Sequence, residues 1–110
     1  MSAGGAFANS LRVRPEIVAL AAADASAWTI RVQAADAWDA VRVRCAPGTP
    51  VATIKGAAMA HLLPDVQERD GYVVKLHGAD IRNEALSLEA AGGMPASTLC
   101  LVSRRRRPLK

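Results

Sequence analysis

Pro47–Leu62 reads PGTPVATIKGAAMAHL, joining a helix-start signal to a single apolar stripe at helical spacing. Thr49 is placed to cap the first backbone N–H groups and Pro50 suits the first helical position, while Val51, Ile54, Ala58 and Leu62 recur every three or four residues. Leu63-Pro64 closes the helix, because a proline disfavours helical geometry in the residue before it. On both sides the apolar residues alternate instead, so the expected arrangement is a small sheet folded over one helix.

Just upstream, Val41, Val43 and Cys45 point one way and Arg42 and Arg44 the other, until Pro47-Gly48 stops the strand. Before that, Trp28, Ile30 and Val32 alternate with Thr29, Arg31 and Gln33, and a turn around Ala35-Asp36-Ala37 makes the two runs a hairpin. Downstream, polar Asp65–Gly71 is a loop and Tyr72–His77 a strand with Val74 and Leu76 on one face. Gly78-Ala79-Asp80 makes a turn, Ile81 begins a short apolar return, and Leu86-Ser87-Leu88-Glu89 reads as one helical turn closed by Gly92-Gly93. Thr98–Val102 is the last strand, with Leu99 and Leu101 facing opposite to Cys100 and Val102. Leu11–Ala27 divides: Pro15-Glu16 with Ile17, Leu20 and Ala21 suits a short helix, whereas Leu11 and Val13 alternate like a strand. The expected organisation is a flexible N-terminal extension over 1–27, one domain over 28–103 and a basic tail over 104–110.

A chain of 110 residues supports one core. Apolar residues make up 51% but aromatics only 4%, so that core is to be built from Val, Ile and Leu with Trp28 or Trp38. The net charge of +4 is unevenly placed: five of the fourteen basic side chains lie in the last seven residues, leaving nine against ten acidic ones in residues 1–103. Electrostatic attraction as a whole-chain property thus belongs to the tail. No apolar run reaches the length of a membrane span. Arg12 and Arg14 before Ile17–Ala23, with Ala25-Ser26-Ala27 beyond, resemble a secretory signal, but Pro15 and Glu16 interrupt it and the first basic residue comes late. A cytoplasmic protein is expected.

Several segments, taken in order, look familiar. They are the hairpin followed by Pro47 and Val51-x-x-Ile54-Lys55; Val74-Lys75-Leu76-His77-Gly78-Ala79-Asp80-Ile81; and Leu86-Ser87 followed by Ser97–Val102 and Arg104. Over about residues 28–107 this succession resembles ubiquitin and the wider ubiquitin-like β-grasp family. The resemblance implies an α+β fold with a mixed sheet of four to five strands on one helix, and the last strand in the middle of the sheet beside the strand from Trp28. It speaks for fold more than for function.

Two departures shape the functional expectation. Ubiquitin and the sulfur carriers of this fold end in an exposed Gly-Gly, whereas Arg107-Pro108-Leu109-Lys110 stands in the corresponding place, so a covalent modifier or sulfur carrier is the less favoured alternative. Gly92-Gly93 precedes the last strand and cannot serve instead. The apolar patch read by many ubiquitin receptors is also altered: Val102 matches its valine, but Lys75 occupies the place of its isoleucine. Burying an unpaired ammonium on an apolar receptor is costly. The outer sheet face is expected to present Arg31, Arg42, Arg44, Lys75 and His77 around Cys100, Val73 and Val102, a mixed surface suited to an acidic protein partner.

Catalytic or cofactor chemistry is not expected. Strand parity places Cys45 inside and Cys100 outside, so they do not pair. A nucleophilic Cys100 has only His77 as a base, and His61 belongs to the helix surface. Lys55 is read as packing its stem along the helix with its ammonium on a carboxylate. Neither zinc spacing nor a phosphate-cradling glycine loop occurs, and no small-molecule substrate is indicated. Arg104, Arg105, Arg106 and Arg107 could meet phosphates of nucleic acid or an anionic membrane, yet no aromatic platform accompanies them. The expectation is a non-enzymatic, non-conjugated ubiquitin-like interaction module. The alanine-rich composition suits a bacterial accessory of a secretion or other multiprotein system, comparable to the small ubiquitin-like proteins associated with type VII secretion. A nucleic-acid-binding accessory is the other alternative.

Overall fold

The computed structural model describes residues 12–35, 39–66 and 71–103. Their elements are β1 (Arg12–Ala19), β2 (Trp28–Ala34), β3 (Asp39–Cys45), α1 (Val51–Leu62), β4 (Tyr72–Leu76), β5 (Ala79–Asp80) and β6 (Thr98–Ser103). They form one mixed sheet in the order β1-β3-β2-β6-β4-β5 with α1 packed against one face. The β2–β3 hairpin is antiparallel, β6 runs parallel to β2 at the centre, and β4 is antiparallel to β6.

The alternation that identified the strands is the alternation that builds the core. Ile30, Val32 and Ala34 of β2, Val41, Val43 and Cys45 of β3, Val74 and Leu76 of β4, and Leu99 and Leu101 of β6 all lie buried on the helix side. From α1 come Val51, Ile54, Ala58, Met59 and Leu62. Trp28 packs at the rim of this cluster. Trp38, the other aromatic candidate, lies outside the described residues.

The helix starts differently from the sequence expectation. Pro50 is the N-cap (φ −62°, ψ 143°) rather than the first helical residue, no side chain caps the helix, and Pro47–Thr49 form a turn before it. Thr49 Oγ1 accepts instead from the Ala46 N–H at 3.1 Å. The exposed N–H groups of the first turn find partners far along the chain: Val51 donates to the Leu86 carbonyl (2.9 Å) and Ala52 to the Glu84 carbonyl (2.8 Å). Leu88 N–H returns the contact to the Thr49 carbonyl and Glu89 N–H to that of Pro47. Segment 84–89 thus caps α1 as a short ribbon. Glu84 also sends its carboxylate to the Lys55 ammonium, both oxygens at 3.1 Å, which neutralises a lysine only 4% exposed.

The same ribbon ends in the glycine-closed helical turn that the sequence indicates. Gly93 N–H donates to the Leu88 carbonyl and Gly92 N–H to that of Glu89, a Schellman pair with Gly92 at φ +102°. A side chain at Gly93 would place its Cβ 2.6 Å from Leu88 Cγ. The turn after β4 sits one residue earlier than expected: His77 (φ +55°) and Gly78 (φ +82°) make it, which frees Ala79-Asp80 to pair back as β5.

The sheet has six strands where four to five are expected, and it begins at Arg12 rather than Trp28. Of the two readings of the 11–27 stretch, the strand is the one observed. β1 pairs parallel to β3, but with a register shift between Val13 and Ile17, where Pro15 cannot donate to a ladder. Val18 is its contribution to the core rim, while Glu16, Ile17 and Ala19 remain exposed.

Candidate functional site

The sheet face turned away from α1 carries the side chains of opposite parity, and register decides which of them meet. Across the middle of the sheet one row runs Ile17, Arg42, Arg31, Thr98. The next runs Ala40, Gln33, Cys100, Lys75, Asp80, and beside it Val102 faces Val73. On the other flank Ala19, Arg44 and Thr29 align. The structure therefore gathers Arg31, Arg42 and Arg44 at the β2–β3 side of one face, with Lys75, Cys100, Val102 and Val73 toward β4 and β6.

Within the first row Arg31 and Arg42 are direct cross-strand partners, both exposed. Like charges directly opposite on a sheet destabilise it by roughly 0.2–1 kcal/mol relative to neutral pairs. Arg44 is held differently: its Nε–H donates to the Ala21 carbonyl at 2.9 Å, fixing the guanidinium beside the segment that follows β1. Lys75 lies 3.6 Å from an Asp80 carboxylate oxygen, a half-exposed pair worth little in water. His77 leaves this face, since the left-handed turn carries it beyond the end of β4 where it is exposed. Arg104, Arg105, Arg106 and Arg107 lie outside the described residues.

Cys100, half-exposed, stands opposite Lys75, whereas Cys45 is buried on the helix side, so strand parity assigns both correctly and no disulfide joins them. Burial pushes the Cys45 thiol above its ordinary range, which suits a small core hydrophobe. His61 places Nδ1 3.1 Å from the Ala57 carbonyl on its own helix. Among the described residues no three His, Cys, Asp or Glu side chains cluster as metal ligands. An open groove of about 360 Å³ lies near β5, lined by Leu76, Ala79, Ile81, Leu86 and Ala91 with Asp80, Arg82 and Asn83. It brings no nucleophile and base together.

Sequence reasoning missed Ile17, 39% exposed, which β1 adds to the arginine row, along with Gln33 and Thr98, which lie between the cationic and apolar ends. The alternation of Leu11 and Val13 was the only trace of β1. Among the described residues no helix is long and apolar enough to cross a membrane.

No protein-family model and no curated protein matches the sequence. Solved structures do match. A ubiquitin-like domain of an Arabidopsis thaliana protein superposes with a TM-score of 0.60 at 12% identity, covering 83% of this chain and 92% of that one. Caldiarchaeum subterraneum ubiquitin gives 0.60 at 15%, covering 76% and 96%. The N-terminal ubiquitin-like domain of a third protein gives 0.57 at 18%, covering 79% and 84%. The fold is the ubiquitin-like β-grasp, with β1 added to the β3 edge.

Proposed function

We propose that this ubiquitin-like β-grasp chain is a non-enzymatic interaction module that docks an acidic protein partner on the outer face of its sheet. The observation that carries this reading is the Arg31–Arg42 cross-strand pair, with Arg44 in the adjacent row. Two guanidinium groups set opposite each other on one face concentrate positive charge, and a carboxylate-bearing partner laid across them forms charge-assisted bonds to it. Val73, Val102 and Cys100 beside the cations supply apolar area to the same footprint. Lys75 within that footprint disfavours the purely apolar receptor surfaces that its isoleucine counterpart would welcome. The alanine-rich composition is what supports the further suggestion of an accessory role in a bacterial secretion or other multiprotein system.

The test is charge reversal. Arg42→Glu with Lys75→Glu, compared with the wild-type chain by affinity capture and by thermal unfolding, is expected to lose the partner while keeping the fold. Retained capture would remove this face from consideration. Parallel captures with nuclease, and with a chain ending at Ser103, separate recognition by the folded face from attraction through Arg104–Arg107.

A further inference from the structure

Register sets three guanidinium groups and two hydroxyls in adjoining rows of the outer sheet face. Arg42, Arg31 and Thr98 follow one another across β3, β2 and β6, and Arg44, whose Nε–H is bonded to the Ala21 carbonyl, faces Thr29 one row away. Neighbouring strands lie about 4.8 Å apart and successive outward positions on one strand about 7 Å apart, so the five side chains share one small patch. Arg31 is its centre: exposed, with Arg42 on one side, Thr98 on the other and Thr29 two residues before it. Both threonines are exposed. Asp80 lies three strands away from Arg31's strand, in the next row beside Lys75. In one direction the face turns apolar. Cys100 and Val102 stand two and four residues on from Thr98, and half-exposed Val73 is opposite Val102. The Val73–Val102 pair is therefore about 13 Å from the Thr98 position, the span of four residues of extended chain.

A carboxylate uses this set incompletely, since it brings two oxygens and a single charge. A phosphorylated serine or threonine brings three acceptor oxygens and a charge of about −1.5 to −2. Guanidinium forks take such oxygens in pairs, and a threonine hydroxyl can donate to the remaining one. From this juxtaposition we infer that the acidic partner presents a phosphorylated side chain to Arg31, Arg42 and Thr98, with an aliphatic side chain four positions away in extended chain resting on Val73 and Val102. The inference rests on the reading that the outer face docks an acidic protein, and it names the acid. A nucleic-acid backbone matches less well, because each of its phosphates carries one charge and the apolar end of the footprint is left without a role. Docking is then conditional: it follows the action of a kinase on the partner, and a phosphatase reverses it.

The experiment titrates the full chain with a blocked peptide, Leu-Gly-Ser-Gly-pSer-Gly-Ser-Gly-Leu, whose leucines stand four positions to either side of the phosphoserine so that both chain directions are offered. Counterparts carry serine or glutamate at the centre, or glycine in place of both leucines. The phosphopeptide is expected to bind about tenfold more tightly than the glutamate peptide, and the serine peptide not measurably. Arg31→Lys keeps the charge but loses the fork, and should weaken phosphopeptide binding by about tenfold. Thr98→Val should weaken it several-fold and leave the glutamate peptide unchanged. Removing the leucines should cost several-fold in the wild type and nothing in Val102→Ser. Unfolding curves establish that each variant is folded. Equal binding of the phosphoserine and glutamate peptides, with Thr98→Val without effect, would overturn the phosphoryl assignment while the acid-docking face stands. Phosphopeptide binding that Arg31→Lys and Arg31→Gln leave intact would also overturn it, as would a single-stranded oligonucleotide that binds as tightly through Arg31. If no peptide binds, the inference is overturned, and the charge-reversal capture decides the face separately.

Discussion

The two faces of the same sheet make opposite bargains from neighbouring residues. On β2, Ile30, Val32 and Ala34 are sealed under α1, while Arg31, one position away, stands exposed against another arginine. On the inner face every large side chain has an apolar neighbour, and the one charged intruder from the helix, Lys55, is met by both oxygens of Glu84. On the outer face cations gather at the surface, with Arg44 held by the Ala21 carbonyl and Lys75 beside Asp80 in half-exposed contacts. Fold is carried by one parity of the strands, and the proposed recognition falls to the other. The contrast can be broken or sharpened residue by residue.

The largest effects belong to the inner face. Ile54→Ala removes a fully buried side chain between sheet and helix and is expected to cost roughly 2–5 kcal/mol in denaturant unfolding. Glu84→Ala strands a buried ammonium and is expected to cost about 3 kcal/mol, whereas Lys55→Met with Glu84→Leu should fold nearly as well as the wild type, because an apolar pair replaces an ion pair without leaving a lone charge. If the double variant is as damaged as the single one, the pair has a role beyond mutual neutralisation. Next in size, Gly93→Ala drives a Cβ into Leu88 and is expected to cost roughly 1–3 kcal/mol, read as a lower midpoint in thermal or denaturant unfolding.

On the outer face the signs reverse. Arg31→Glu turns a like-charge cross-strand pair into an opposite-charge one, so stability should rise by a few tenths of a kcal/mol, and by up to about 1 kcal/mol, while partner binding is lost. The smallest expected effect is chemical. In the native state a thiol-reactive probe should label half-exposed Cys100 and spare Cys45, whose thiol is buried and held above its ordinary pKa range by desolvation. Equal labelling at both sites, read by peptide mass, would show that the inner face opens.

How far the sequence spoke follows the same division. β2, β3, β4 and β6 were legible because a half-buried strand must alternate, and the two cysteines were assigned to opposite faces by parity alone. The start of α1 was not legible, since its cap is the backbone of residues 84–86, about thirty positions away, and Thr49 serves Ala46 instead. β1 was obscured by its own chemistry: Pro15 breaks the ladder, and Ile17, Val18 and Ala19 are all apolar, so no inward–outward contrast marks the strand. The composition of the candidate site could be read, but not its geometry. Alternation placed Arg31 and Arg42 on one face, yet only the hairpin register sets them directly opposite, and His77 departs because the turn begins one residue sooner than Gly78 suggests.

The most direct test of the docking face is affinity capture from lysate of the encoding organism with the wild-type chain and Arg31→Glu, in the presence of nuclease and alongside unfolding curves. The account expects Arg31→Glu to be at least as stable as the wild type and to lose the captured protein. A variant that is equally stable and retains the same partner in full would contradict recognition by the outer face of the sheet.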